Sequence, residues 1–241
     1  MSSHRPRKRF GQHFLHDAHV LERIVDSIDP APGDFIVEIG PGEGALTRPL
    51  LERVANLHVI ELDRDLAANL KQDERIVVHQ GDALDFDFGQ FPRGMRLVGN
   101  LPYNISTPLL FHLARHADRV RDMHFMLQLE VVERMVAEPS TAEYGRLSVA
   151  LQARFAMEKL FNVAKGAFRP PPKVESAVVR LVPLAKPLHV DDELLRKAFS
   201  ARRKQLRNAL PGVDFARVGI DPQLRPENLS PQDYARISSS G

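Results

Sequence analysis

The chain has 241 residues, 43% of them hydrophobic, with a formal net charge of +2, which suffices for one substantial core and a smaller appended unit. No apolar run approaches the roughly 18 residues of a membrane-spanning helix, and the basic start MSSHRPRKRF has no apolar stretch behind it, so neither a membrane anchor nor a secretory signal is expected. Cysteine is absent, which excludes disulfides and thiolate metal sites and fits a reducing cytoplasm.

In chain order the pattern alternates strand and helix. DFIVEI (34–39) is a short apolar run ending in glycines and predicts a buried strand. Helical spacing follows over 45–54, a strand over 57–61, a short helix over 66–71 and a strand over 75–79. A fourth strand covers 96–99, then a loop and a helix over 108–115; a fifth covers 123–127, then helices over 130–137 and 145–155. Strand-like pieces at 159–163 and 176–182 add an antiparallel edge. Strand–helix alternation with short connections implies a mostly parallel α/β sheet covered on both faces. Pro183 and Pro187 break the pattern, which places a boundary near residue 185 between a domain over 1–185 and a small helical domain over 186–241, with one helix predicted over 191–210.

Charge is segregated. Arg5, Arg7, Lys8 and Arg9 crowd the start, and Arg196, Lys197, Arg202, Arg203, Lys204 and Arg207 crowd the late helix, while acids outnumber bases between Glu61 and Asp87. A polyanion held by the two ends explains this; on charge alone, two solvated faces explain it equally well.

The glycines of Glu38-Ile39-Gly40-Pro41-Gly42-Glu43-Gly44-Ala45 follow the first predicted strand and open a helix, where backbone must turn sharply and approach a ligand closely. Gly40 and Gly42 fit a nucleoside-cofactor loop, and Glu61, about twenty residues on, sits where an acid accepts hydrogen bonds from ribose hydroxyls. A bare strand–helix turn would account for the glycines but not for the acid. Glu38 before the glycines, and Asp82 in Gly81-Asp82-Ala83 where it can accept from an adenine amine, shift the choice from a dinucleotide toward S-adenosylmethionine.

Gly99-Asn100-Leu101-Pro102-Tyr103 ends the fourth predicted strand, the side of an open α/β sheet where ligands sit. An adenine N6 amine is a poor nucleophile because its lone pair is delocalised into the ring. The Asn100 side-chain oxygen and the Leu101 carbonyl can accept its two hydrogens and orient it for methyl transfer. Pro102 stiffens the turn and supplies no competing N–H; Tyr103 offers a ring face for an unstacked base. A plain loop is the bland alternative for such a cluster. A nicotinamide dehydrogenase would explain the glycine loop and Glu61 but neither Asn100–Tyr103 nor the basic ends; an RNA-binding assembly factor without activity would leave the cofactor loop idle.

With these motifs the chain resembles the ribosomal RNA adenine dimethyltransferases of the bacterial small-subunit type, through KRFGQHFLHD, VEIGPGEGALT, VIELDRDLA, GNLPYNIST, DMHFMLQLEVVERM, YGRLSVALQ, FRPPPKVESAVVRLVP and RRKQLRNAL. The resemblance covers nearly the whole chain. It implies a Rossmann-like class I methyltransferase sheet with a small helical C-terminal domain, S-adenosylmethionine as methyl donor with S-adenosylhomocysteine as product, and no metal. It implies as substrate two adjacent adenosines in the 3′-terminal hairpin loop of 16S rRNA within an immature 30S subunit, each methylated twice at N6 by a cytoplasmic monomer. By position, His13, Leu15, Gly40, Glu61, Asp82 and Asn100 would hold the cofactor, and Phe168 would help hold the target base; without the resemblance, an ordinary linker with a buried Phe is the better reading of that stretch. Arg7, Lys8, Arg9, Arg202, Arg203, Lys204 and Arg207 are expected to grip rRNA. Two departures stand out: His13 occupies a position where the family more often has Asn, and the chain stops soon after Tyr234, where the family often continues through a further helix.

Overall fold

A computed structural model describes residues 13–240, so Arg7, Lys8 and Arg9 lie outside the described residues. These residues group into two compact units, one from the chain up to Val132 together with Glu158–Val182, the other from Glu133–Met157 together with the chain from Pro183 onward.

The first unit opens with a two-residue strand, β1 (Phe14–Leu15), and α1 (Ala18–Ile28). The Asp17 carboxylate accepts the Val20 N–H and so caps α1, whose Val20, Leu21, Ile24, Val25 and Ile28 recur at helical spacing and turn one face into the core. The main sheet takes β2 (Ile36–Ile39), β3 (Leu57–Glu61), β4 (Ile76–Gln80), β5 (Met95–Asn100), β6 (Val120–Gln128), β7 (Phe155–Val163) and β9 (Ser176–Pro183) in the order β4-β3-β2-β5-β6-β9-β7; β8 (Phe168–Arg169) pairs with β1 instead. The pairs from β4 to β6 are parallel and β9 is antiparallel to β6. β2 is buried at all four positions, as a strand covered on both faces must be. Between the strands run α2 (Thr47–Leu51), α3 (Arg64–Leu70), α4 (Ser106–Ala114) and α5 (Leu129–Val136). The chain leaves β2 in one direction through β3 and β4, then returns to its other side as β5. That reversal opens a crevice beyond the carboxyl ends of β2 and β5.

The second unit is mainly helical: α6 (Arg146–Gln152), α7 (Asp192–Ser200), α8 (Leu206–Ala209), α9 (Phe215–Val218) and α10 (Pro231–Ser238). Its internal segment is tied to the later one by the buried Tyr144 hydroxyl, which donates to the Leu229 carbonyl at 2.8 Å, and by Arg202, which donates to the Ala142 carbonyl at 2.8 Å and, within the later segment, to Glu227 at 2.5 Å. The 133–157 segment therefore packs with the chain beyond Pro183 although more than twenty residues of sheet strand and loop lie between them in sequence.

Several sequence expectations need correction. The helix over 191–210 is two helices, because the chain turns between Ser200 and Leu206 and the Arg202 guanidinium is drawn to Glu227 and two carbonyls. Arg203 and Arg207 therefore do not share one continuous helical face, although Leu206 and Leu210 are buried and both arginines are exposed, as expected. The helix over 145–155 ends at Gln152, and the strand expected from residue 159 already begins at Phe155. The helix expected over 45–54 spans only Thr47–Leu51. No expectation covered α1, β1 or β8. Among the described residues no helix is long and apolar enough to cross a membrane.

Candidate active site

The crevice is floored by the ends of the parallel strands. β2 runs into the glycine loop, where Gly42 has φ +57° and a Cβ would stand 3.0 Å from the Phe14 ring. Only glycine both turns there and leaves room for that ring. The Gly42 N–H donates to Glu61 Oε2 at 3.1 Å and the Asp63 N–H donates to Oε1 at 2.8 Å, fixing the carboxylate at the end of β3. Each oxygen retains a further acceptor position, and Glu61 lines the crevice. Burial pushes its pKa up, against the pull of those two N–H groups. Glu38, inside β2, is 2% exposed and accepts the Thr47 hydroxyl at 2.6 Å. Burial lifts its pKa to about 7, opposed by Thr47 and reinforced by the nearby charge of Glu61. Beyond β4, Asp82 Oδ1 accepts the Leu84 N–H at 2.9 Å, a local turn that leaves Oδ2 without a donor among the described residues. Four carboxylates, Glu38, Glu43, Glu61 and Asp82, line the crevice, and among the described residues no lysine or arginine lines it.

On the other side of the reversal, a Cβ at Gly99 would meet the Ile39 carbonyl oxygen at 2.4 Å. The absence of a side chain lets the ends of β5 and β2 close together, which sets Asn100 beside the glycine loop. Asn100 Nδ2 donates to the His13 carbonyl at 2.9 Å, so the amide is oriented and its oxygen is left without a donor among the described residues. The Leu101 N–H donates to the Met126 carbonyl at 3.1 Å, and the Pro102 carbonyl accepts the Ile105 N–H at 3.1 Å and the Ser106 hydroxyl at 3.0 Å. The motif is held by its neighbours while the Leu101 carbonyl stays out of those bonds. The Tyr103 hydroxyl lies 2.6 Å from Ser176 Oγ, its ring stacks on the His13 imidazole with centroids 5.5 Å apart, and burial raises its pKa.

His13 and β1 roof the crevice. His13 Nδ1 donates to the Pro170 carbonyl at 2.7 Å, the His16 N–H donates to the Ala167 carbonyl at 2.9 Å, and Leu15 pairs with Phe168. The structure thus brings His13, Leu15, Gly40, Gly42, Glu61, Asp82, Asn100, Leu101, Pro102 and Tyr103 around one crevice. Phe168 is not among the residues that line it: the ring is 2% exposed and belongs to the core cluster that also includes the lining residues Leu15, Ile24 and Val178.

Comparison with known proteins agrees with this geometry. The profile of the family described as Ribosomal RNA adenine dimethylase matches residues 3–240. The chain belongs to that family.

This dimethylase is 58% identical to Ribosomal RNA small subunit methyltransferase A of Laribacter hongkongensis, over 99% of this chain and 97% of that protein. It is likewise 58% identical to the protein of the same name from Thiobacillus denitrificans, over 98% of each. Among solved structures, a dimethyladenosine transferase from Plasmodium falciparum superposes with a TM-score of 0.84 at 26% identity, over 95% of this chain and 97% of that one. The 23S rRNA methyltransferase ErmE superposes with 0.70 at 25% identity, over 94% and 98%. Family membership makes the chain an rRNA adenine methyltransferase.

For such an enzyme the second unit holds the remaining expected residues. Arg203, Lys204 and Arg207 are exposed, and no side-chain partner is recorded for them among the described residues. Arg202 differs, because its guanidinium is already engaged by Glu227, Thr141 and Ala142. Sequence reasoning missed Thr47, Ser176 and Pro170 as partners of Glu38, Tyr103 and His13. A threonine nine residues beyond Glu38 carries no signal without the fold, and the other two contacts join distant stretches of chain. Among the described residues no group of three or more His, Cys, Asp or Glu side chains could hold a metal ion.

Proposed function

We propose that this dimethylase transfers methyl groups from S-adenosylmethionine to N6 of two adjacent adenosines in the 3′-terminal hairpin loop of 16S rRNA, acting as a cytoplasmic monomer on an immature 30S subunit. The observation that carries the reading is the state of Asn100: its amide nitrogen donates to the His13 carbonyl, which fixes the side chain in the crevice wall and leaves its acceptor oxygen without a donor among the described residues. An acceptor side chain beside an uncommitted Leu101 carbonyl suits an amine with two hydrogens to give. Held by both, the adenine N6 lone pair is directed away from its ring as it attacks, and no general base of tuned pKa is needed because the amine becomes acidic once methylated. Tyr103, pinned by Ser176 and backed on one face by His13, presents its other face to the base.

The crevice chemistry fits S-adenosylmethionine, which supplies an electrophilic methyl group on a positively charged sulfur. Glu61 accepts from the ribose hydroxyls, Asp82 from the adenine amine, and the loop at Gly40 and Gly42 allows close backbone approach, with His13 and Leu15 over the amino-acid end. A nicotinamide dinucleotide suits the same crevice poorly, since among the described residues its pyrophosphate would meet four carboxylates and no lysine or arginine. In the helical unit, Arg203, Lys204 and Arg207 contact rRNA phosphates, joined by the Arg7–Arg9 arm; the strong identity to proteins named for the small subunit supports that substrate.

The test is to map methylated adenines in rRNA after single-turnover reaction of the purified protein with unmethylated small subunits, beside Asn100→Ala. Two adjacent dimethyladenosines in the 3′ hairpin are expected. Because the Asn100 oxygen matters most as the amine changes shape, the variant should lose at least tenfold in rate with subunit affinity retained. Methylation elsewhere would refute the substrate, and an unchanged rate would refute the role of Asn100.

A further inference from the structure

We propose that Glu38 makes the crevice selective for ligand charge: it carries a proton when no cation is bound and releases it to solvent when the cationic groups of S-adenosylmethionine bind. This rests on the reading of the crevice as the cofactor site, and it assigns Glu38 a role that the bonding of the neighbouring Glu61 rules out for that residue.

Two carboxylates stand on adjacent strands, Glu38 in β2, whose register partner in β3 is Val59, and Glu61 two residues further along β3. Both are buried and both line the crevice. Their hydrogen bonds differ in kind. Glu61 receives two backbone N–H groups, which can only donate and therefore favour the charged form. Glu38 receives one bond, from a threonine hydroxyl, which can donate to a carboxylate or accept from a carboxylic acid. Among the described residues no basic side chain compensates it. Among the described residues, the titratable groups that share the crevice are Glu61 on β3, Glu43 in the glycine loop, Asp82 beyond β4, Tyr103 beyond β5, His13 in the roof and His124 on β6. Three of these are carboxylates, and burial keeps His124 neutral by lowering its pKa to about 4. A charge on Glu38 is thus opposed by desolvation and by like charges, and the lift of its pKa to about 7 agrees.

A bound cation reverses that balance. The Glu38 carboxyl O–H bond then breaks, the oxygen keeps the electron pair, and the proton passes to solvent. Methyl transfer leaves a neutral thioether where the sulfonium was, so the product has less charge with which to hold Glu38 ionised. Ligand charge and carboxyl protonation are then linked, and the spent cofactor is held less firmly between successive methylations.

The experiment is calorimetric titration of the full chain with S-adenosylmethionine and, separately, S-adenosylhomocysteine at pH 7. Phosphate, imidazole and Tris buffers, which differ in ionisation enthalpy, convert proton release into heat. Wild type should release roughly half a proton more than Glu38→Gln on binding S-adenosylmethionine, as expected for a group with a pKa near the working pH. Taking the difference between the two proteins cancels any proton the ligand's own amine exchanges. Glu38→Asp, which keeps the carboxyl, should retain the buffer dependence, and S-adenosylhomocysteine should release less. Glu38→Gln should lose about tenfold in affinity for S-adenosylmethionine and less for the product. Equal proton release by wild type and Glu38→Gln, or equal release for the two ligands, overturns the inference. Failure of the wild type to bind either ligand overturns the cofactor reading itself.

Discussion

Charge is buried at both ends of the central sheet, and the two ends treat it in opposite ways. At the amino ends of β5 and β6, Arg96 is 3% exposed and all five of its N–H groups are used. It donates to both oxygens of Asp122 at 2.8 and 2.9 Å, to Asp34 at 2.7 Å, and to the carbonyls of Asp29 and Ile28, while Arg121 covers the second oxygen of Asp34 at 2.7 Å. At the carboxyl ends, Glu38 and Glu61 are buried with no cationic side chain beside them among the described residues. Burial costs the same kind of energy in both places, and among the described residues only the first end contains its own compensation. An end that lacks it is prepared for a ligand that brings the missing charge.

The largest effect should come from breaking the compensated end. Arg96→Met leaves Asp122 buried and unpaired and should cost about 3–5 kcal/mol of stability, read by urea unfolding; a loss below about 1 kcal/mol would mean that the network contributes little. Relieving the uncompensated end should act in the other direction. Glu38 keeps its proton up to about pH 7 when folded but only to its ordinary 4.5 when unfolded, so folding becomes harder as pH rises between those values. Without ligand, Glu38→Gln should therefore stabilise the protein by on the order of 3 kcal/mol above pH 7 and by nothing at pH 4. Thermal unfolding at both pH values checks the sign, and stabilisation at pH 4 of equal size would point to packing instead. The smallest effect on stability belongs to arginines in solvent. Reversing Arg203 and Arg207 to Glu should change stability by less than about 0.5 kcal/mol. It should nevertheless weaken small-subunit binding and flatten the slope of log affinity against log salt by roughly 1.5, because fewer counterions are displaced. An unchanged slope would return these residues to the status of a solvated face.

The sequence carried the crevice further than it carried the helical unit. Gly40, Gly42, Glu61, Asp82 and Asn100–Tyr103 each sit at a strand end, so strand prediction alone brings them together once the parallel order is known. α1 was also legible, with Asp17 as cap and apolar residues from Val20 to Ile28 at helical spacing. The break between α7 and α8 was not legible. Helical propensity and an arginine-rich stretch favour one long helix, and what ends it is the pull of Glu227 and two carbonyls on Arg202 from elsewhere in the chain. Phe168 was legible only in part: its neighbours Arg169, in β8, and Pro170, just beyond it, are exposed, while strand alternation turns the ring itself inward.

The pairing of β1 with β8 has a consequence for how the chain matures. His13 and Pro170, which hydrogen-bond across the roof of the crevice, are 157 residues apart. A ribosome making this protein in the N-to-C direction has released the glycine loop and the Asn100 motif long before Arg169 emerges. Until then the Phe14–Leu15 segment has no strand to pair with, and His13 has no Pro170 carbonyl to hold its ring against Tyr103. The floor of the crevice can form early from neighbouring parallel strands, while its roof is among the most non-local contacts in the unit and must close late. Each newly synthesised molecule gains the ability to position Asn100 only after most of its chain exists.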